Sequence, residues 1–94
     1  MNVNAIDELA NYIEKRTDKK FDMARHQDCI LGFAADLWVL HGVVADVGDK
    51  LGITRQQGQQ LFFALDSRVV LNKLTREQAV STLRNLAVIG NVEW

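Results

Sequence analysis

DCILGFAADLWVLH, the run from Asp28 to His41, decides the fold. Ile30, Phe33, Ala34, Leu37 and His41 recur at helical spacing on one face, and Leu31, Ala35 and Trp38 cover another. A helix apolar almost all round belongs in a core, so this spacing predicts a central helix over 28–41. Its least apolar edge carries Cys29, Gly32 and Asp36, and Gly42 stands where a C-terminal stop is expected.

Toward the N-terminus, Ile6, Leu9, Ala10 and Ile13 make a buried stripe. Asn4 reads as the N-cap of that helix, with Asp7 in its first turn and Lys15 and Arg16 in its last, where each charge suits the helix dipole. Thr17 to Lys20 is a solvated loop, after which Phe21 and Met23 return to the core.

Toward the C-terminus, Val44, Val47, Gly48 and Leu51 predict a short helix over 43–51, ended by Gly52. Thr54 and Gln57 form a capping box for a fourth helix with the stripe Gly58, Leu61, Phe62 and Leu65. Gly58 costs roughly 1 kcal/mol of helix propensity, which predicts a close helix crossing there. Asp66 to Lys73 is a connection. Thr75 and Gln78 then cap a fifth helix that buries Ala79, Val80, Leu83, Leu86 and Ala87 and stops at Gly90, with Val92-Glu93-Trp94 as an apolar tail. Residues 53–58 echo residues 74–79, and shared capping chemistry accounts for the echo. The expectation is an all-α fold: one helical domain over 1–94, a compact bundle of about five short helices around a central apolar helix.

Length and charge exclude much else. Ninety-four residues cannot hold a two-domain enzyme, an eight-stranded α/β barrel or a full dinucleotide-binding fold. A single cysteine forbids an internal disulfide and suits a reducing cytosol, so the expected location is cytoplasmic. The start, Met1-Asn2-Val3-Asn4, has no basic segment ahead of an apolar run, and the run from Cys29 to Leu40 is too short to span a bilayer. No secretory leader and no membrane partner are expected. A net charge of -1 advertises no polyanion partner.

The residues offer four chemistries. His26, Asp28, Cys29 and His41 are the nearest thing to a metal set, but their spacing does not build a four-ligand site. Cys29 with His26 three residues earlier has the residue types of a thiol nucleophile and base. A lone cysteine on a central helix reads more simply as a packing residue beside Gly32. No catalytic, cofactor or metal residue is assigned, and the chain is read as a non-enzyme. Residues 44–63 lay onto a helix-turn-helix frame, with Leu51-Gly52-Ile53 as the turn and Arg55, Gln56, Gln59 and Gln60 as residue types that read base edges. Gly58 is its defect, because a large aliphatic residue normally wedges the two helices. The favoured reading is a protein-interaction or regulatory module. Its partner is another protein or a second copy of the chain, with duplex DNA the alternative. The candidate contacts are Arg55, Gln56, Gln59, Gln60 and Asp36, and Trp38 and Trp94 are anchor-type side chains.

Phe21-Asp22-Met23, then Cys29-Ile30-x-Gly32-x-Ala34, then Leu51 to Phe62, Leu74 to Ala87, Gly90 and Val92 to Trp94 follow one another in an order that resembles a group of small, functionally uncharacterised bacterial and phage proteins. The resemblance covers roughly residues 21–94. This chain departs from the pattern at Gly58, where Ala is usual, and in a short segment between Met23 and Cys29. The resemblance implies an all-helical domain and transfers no activity. A phage origin would suit an accessory or host-inhibitor role.

Overall fold

The computed structural model describes residues 1–65 and 68–94. It is all-α, with no strand among the described residues. The helices are α1 (Val3–Lys15), α2 (Ile30–Trp38), α3 (Val44–Leu51), α4 (Arg55–Phe63) and α5 (Arg76–Ile89), with a 3-10 turn at Leu71–Lys73. The expected connection over Asp66 to Lys73 begins with two residues that lie outside the described ones.

The longest helices, α1 and α5, pack on each other, and α2 sits among α1, α3 and α4. Ile6, Leu9 and Ile13 of α1 meet the core with Ile30, Leu31 and Phe33 of α2, Val47 and Leu51 of α3, Leu61 and Phe62 of α4, and Leu83 and Leu86 of α5. One apolar cluster thus draws on every helix, as the stripes require. Arg76, at the start of α5, ties down the far end of α1. Its guanidinium donates to the carbonyls of Ile13 at 2.6 Å, Arg16 at 2.9 Å and Lys19. The last carbonyls of a helix have no partner within it, and a cation that collects them also opposes the dipole. Arg84, two turns further along, reaches Asn11 at 3.0 Å and Glu14 at 3.3 Å.

Several expected boundaries move. α1 is capped by Asn2 and not by Asn4: the Asn2 side chain accepts from the Ala5 N–H. The cause is tertiary. The Asn2 N–H donates to the Leu51 carbonyl at 2.8 Å and its side chain to the Lys50 carbonyl, so the end of α3 holds Asn2 in place and α1 begins there.

α2 is shorter than 28–41. Cys29 is its N-cap and Asp28 stays in the preceding turn, bonded to Arg25 and Asp22 through the backbone. The helix ends at Val39, which adopts a left-handed conformation at φ 54. His41 therefore lies beyond the helix and is exposed, not on a buried face. Only Ile30 to Ala34 are fully buried; Ala35, Leu37 and Trp38 are half-buried and Asp36 is exposed. Leu65 likewise falls outside α4, which ends at Ala64 with φ 51, and it is exposed.

The small edge at Cys29 and Gly32 is covered by a loop and not by a crossing helix. A Cβ on Gly32 would lie 2.3 Å from the Gln27 carbonyl oxygen, so the 26–27 backbone can sit there only because Gly32 has no side chain. Both tryptophans are half-buried with their indole N–H groups satisfied, Trp38 by Glu8 at 2.7 Å and Trp94 by the Gln60 carbonyl at 2.8 Å.

Candidate functional site

The α3–α4 turn sets two helices apart around a cleft. Gly52 takes the left-handed conformation at φ 66, and Ile53 returns its N–H to the Gly48 carbonyl at 3.1 Å. Thr54 then starts α4 through a complete capping box: its hydroxyl accepts from the Gln57 N–H, and the Gln57 side chain accepts from the Thr54 N–H. Three residues, 52–54, therefore separate the helices, and their chemistry sets how the helices diverge.

Between them lies a cleft of about 500 Å³. Val44, Gly48 and Asp49 line it from α3, and Arg55, Gly58, Gln59 and Phe63 line it from α4. Gly58 is one of its lining residues and is itself buried. A Cβ built there meets the Phe62 ring at 3.6 Å and Val44 Cγ1 at 3.8 Å, which is ordinary van der Waals contact. The close crossing expected at Gly58 is thus not what the helices make. They leave room for a methyl group, which would fill only a small part of the cleft. Phe63 stands half-exposed on its wall, whereas its neighbour Phe62 is 1% exposed and belongs to the core.

The sequence-predicted contacts do not form one set. Arg55 and Gln59 both line the cleft, and Gln56 is exposed on the same helix. Gln60 is half-buried, and its carbonyl is taken by the Trp94 indole, so the C-terminal tail packs beside it. Asp36 belongs to another part of the surface. It pairs with Lys19, whose ammonium stands 4.5 Å over the Phe33 ring. Sequence reasoning missed Phe63, Val44 and Asp49. Residues 55, 59 and 63 fall four apart on one helical face, and that spacing was the available signal.

The cleft is apolar along its floor and carries one acid, Asp49, and one base, Arg55. Asp46 adds a second exposed carboxylate on α3. The guanidinium held above its ordinary range, Arg16, owes this to its hydrogen bond with Asp18 and lies at the end of α1, not at the cleft.

Cys29 is buried, and its thiol donates to the His26 backbone carbonyl at 3.3 Å. The His26 ring turns to Gly42, with Nε2 3.3 Å from where a Cβ on that glycine would be. The thiol thus engages the main chain of the residue that sequence reasoning weighed as its base. Among the described residues no three of His, Cys, Asp and Glu gather where they could hold a metal ion, and no helix is long and apolar enough to cross a membrane. The chain matches no protein-family model, and no curated protein or solved structure is significantly similar to it.

Proposed function

We propose that this chain is a non-enzymatic interaction module that engages a protein partner at the α3–α4 cleft. The observation that carries the reading is Phe63, an aromatic side chain left half-exposed beside the apolar cleft between α3 and α4. Aromatic groups beside pockets are the usual anchors of protein interfaces, and a small domain gains nothing in stability from leaving one in water. The resemblance to bacterial and phage proteins fits an accessory or inhibitor role in a reducing cytosol, where the single free thiol of Cys29 is stable.

The test is site-directed photo-crosslinking in the source cell. A photoreactive residue at position 59, inside the cleft, is expected to give a discrete adduct that Phe63→Asp abolishes. The same residue at position 73 is expected to give none. Equal labelling from both positions would refute the cleft as the binding site.

One observation favours a second reading. The three-residue turn, left-handed Gly52 and capped α4 presenting Arg55, Gln56 and Gln59 reproduce the elements of a DNA-reading helix-turn-helix. Against it, Asp46 and Asp49 would face the phosphates from α3, and Phe63 would occupy the reading face. Salt-dependent binding to duplex DNA that is lost in Arg55→Ala and Gln59→Ala would establish it in place of the first.

A further inference from the structure

We infer that the partner at the α3–α4 cleft is a second copy of the same chain, paired about a two-fold axis. The inference rests on the interaction reading above and names its occupant. A two-fold interface must be self-complementary: whatever one copy offers, the same surface must accept. This cleft holds both halves of such a match. It has a knob, Phe63, and an apolar hollow between α3 and α4. Its two charged lining groups are of opposite sign and sit on opposite walls, Asp49 on α3 and Arg55 on α4. Apposing α3 of one copy to α4 of the other sets Asp49 against Arg55 twice, once on each side of the axis, while the Phe63 rings enter the facing hollows. A polyanion would meet Asp49 unfavourably, and a strongly charged peptide of either sign would leave one of the two groups opposed by its like. A surface neutral in pairs and apolar between them suits its own copy.

The charge pair gives a test that spares the fold. Asp49 lies near the C-terminal end of α3 and Arg55 is the first residue of α4, so Asp49→Arg and Arg55→Asp each place the sign that the helix dipole prefers. Both positions are exposed. Sedimentation equilibrium from low micromolar to about 500 µM is expected to give a reversible monomer–dimer equilibrium for the wild-type chain. Asp49→Arg and Arg55→Asp should each raise the dissociation constant at least about tenfold, since each sets like charges together, and the double exchange should return it to within about threefold of wild type. Phe63→Asp should leave only monomer, with the circular dichroism of the wild type.

A wild-type chain that stays monomeric throughout that range overturns the inference. So does a dimer indifferent to Phe63→Asp, or one that the double exchange fails to restore, because either would use another face. If the chain is monomeric while position 59 still crosslinks to a different protein, self-pairing fails and the interaction reading stands. If position 59 labels nothing, both fail.

Discussion

α1 with α5 and α3 with α4 are both neighbouring helix pairs, and they are finished in opposite ways. The α1–α5 pair is closed by side chains that bond across it, with a cleft of about 450 Å³ lined by Glu14, Val80 and Arg84 beside those bonds. Leu9, Ile13, Leu83 and Leu86 are fully buried, and Arg76 and Arg84 bond across to the end of α1. The α3–α4 pair is set by an equally well-made turn, yet it leaves a cleft along its outer side with Phe63 beside it. Good local chemistry therefore does not distinguish the two. What differs is what crosses the gap: side-chain hydrogen bonds from Arg76 and Arg84 in the first pair, and among the described residues no side-chain hydrogen bond from α3 to α4 in the second. Both pairs feed the core, but it is the α3–α4 cleft that carries a half-exposed aromatic side chain on its wall.

The largest effects should come from the closed pair. Leu83→Ala removes a fully buried side chain and should cost about 4 kcal/mol, whereas Phe63→Ala should change stability by less than about 0.5 kcal/mol. Urea unfolding of the two variants side by side measures the contrast. A Phe63→Ala loss as large as that of Leu83→Ala would mean that α3 and α4 close over the ring in solution, and the comparison would collapse.

Next comes Arg76. Arg76→Met keeps the aliphatic stem but strips hydrogen bonds from the carbonyls of Ile13, Arg16 and Lys19, and removes the cation 5.5 Å from the Phe33 ring. A loss of about 3 kcal/mol is expected, since charge-assisted bonds are the stronger kind and the carbonyls left behind are partly buried. Hydrogen exchange should quicken first at the end of α1. Uniform quickening would place the role of Arg76 elsewhere.

The two capping boxes should erase the difference between the regions. Thr54→Ala starts the open side's α4 without its cap, and Thr75→Ala does the same for α5 on the closed side. The geometry is the same in both, so each should cost about 1 kcal/mol by thermal unfolding. Unequal losses would show that tertiary context, and not the cap, sets the value.

The legible parts of this fold are those written in local chemistry. Both capping boxes are where Thr54-x-x-Gln57 and Thr75-x-x-Gln78 predict them, and the helices that stop at Gly52 and Gly90 stop as read. The misread ends share a cause. Val39 and Ala64 end their helices in the left-handed conformation without being glycine, at φ 54 and φ 51. That conformation strains an L-residue, so nothing in a valine or an alanine announces it. It is imposed by where the chain must go next, and this placed His41 and Leu65 on faces they do not occupy. The Asn2 cap was hidden for a similar reason, because its anchor is the end of α3. The cleft was half legible. The turn and Arg55 and Gln59 could be read, but the space itself comes from how α3 and α4 diverge, which no single residue states. The spacing of Arg55, Gln59 and Phe63 went unused because Phe63 adjoins a true core residue.

One effect should run the other way. Gly58→Ala should stabilise the chain by about 1 kcal/mol, because alanine restores the helix propensity that glycine forfeits and reduces the freedom of the unfolded state. The gain depends on space, and the space is present: the new methyl group would meet the Phe62 ring at 3.6 Å and Val44 at 3.8 Å, contacts that attract and do not clash. Gly32, a buried glycine of α2, has no such freedom, since the Gln27 carbonyl occupies the position its Cβ would take. The same substitution on two buried glycines should therefore give opposite signs, a rise in urea midpoint at 58 and a fall at 32, with the m-value unchanged. A fall at 58 would mean that the helices approach more closely there than the cleft allows. A rise at 58 would leave a puzzle that only use resolves: the chain could be more stable by one methyl group, and the cost of adding it would fall on whatever Gly58 keeps room for.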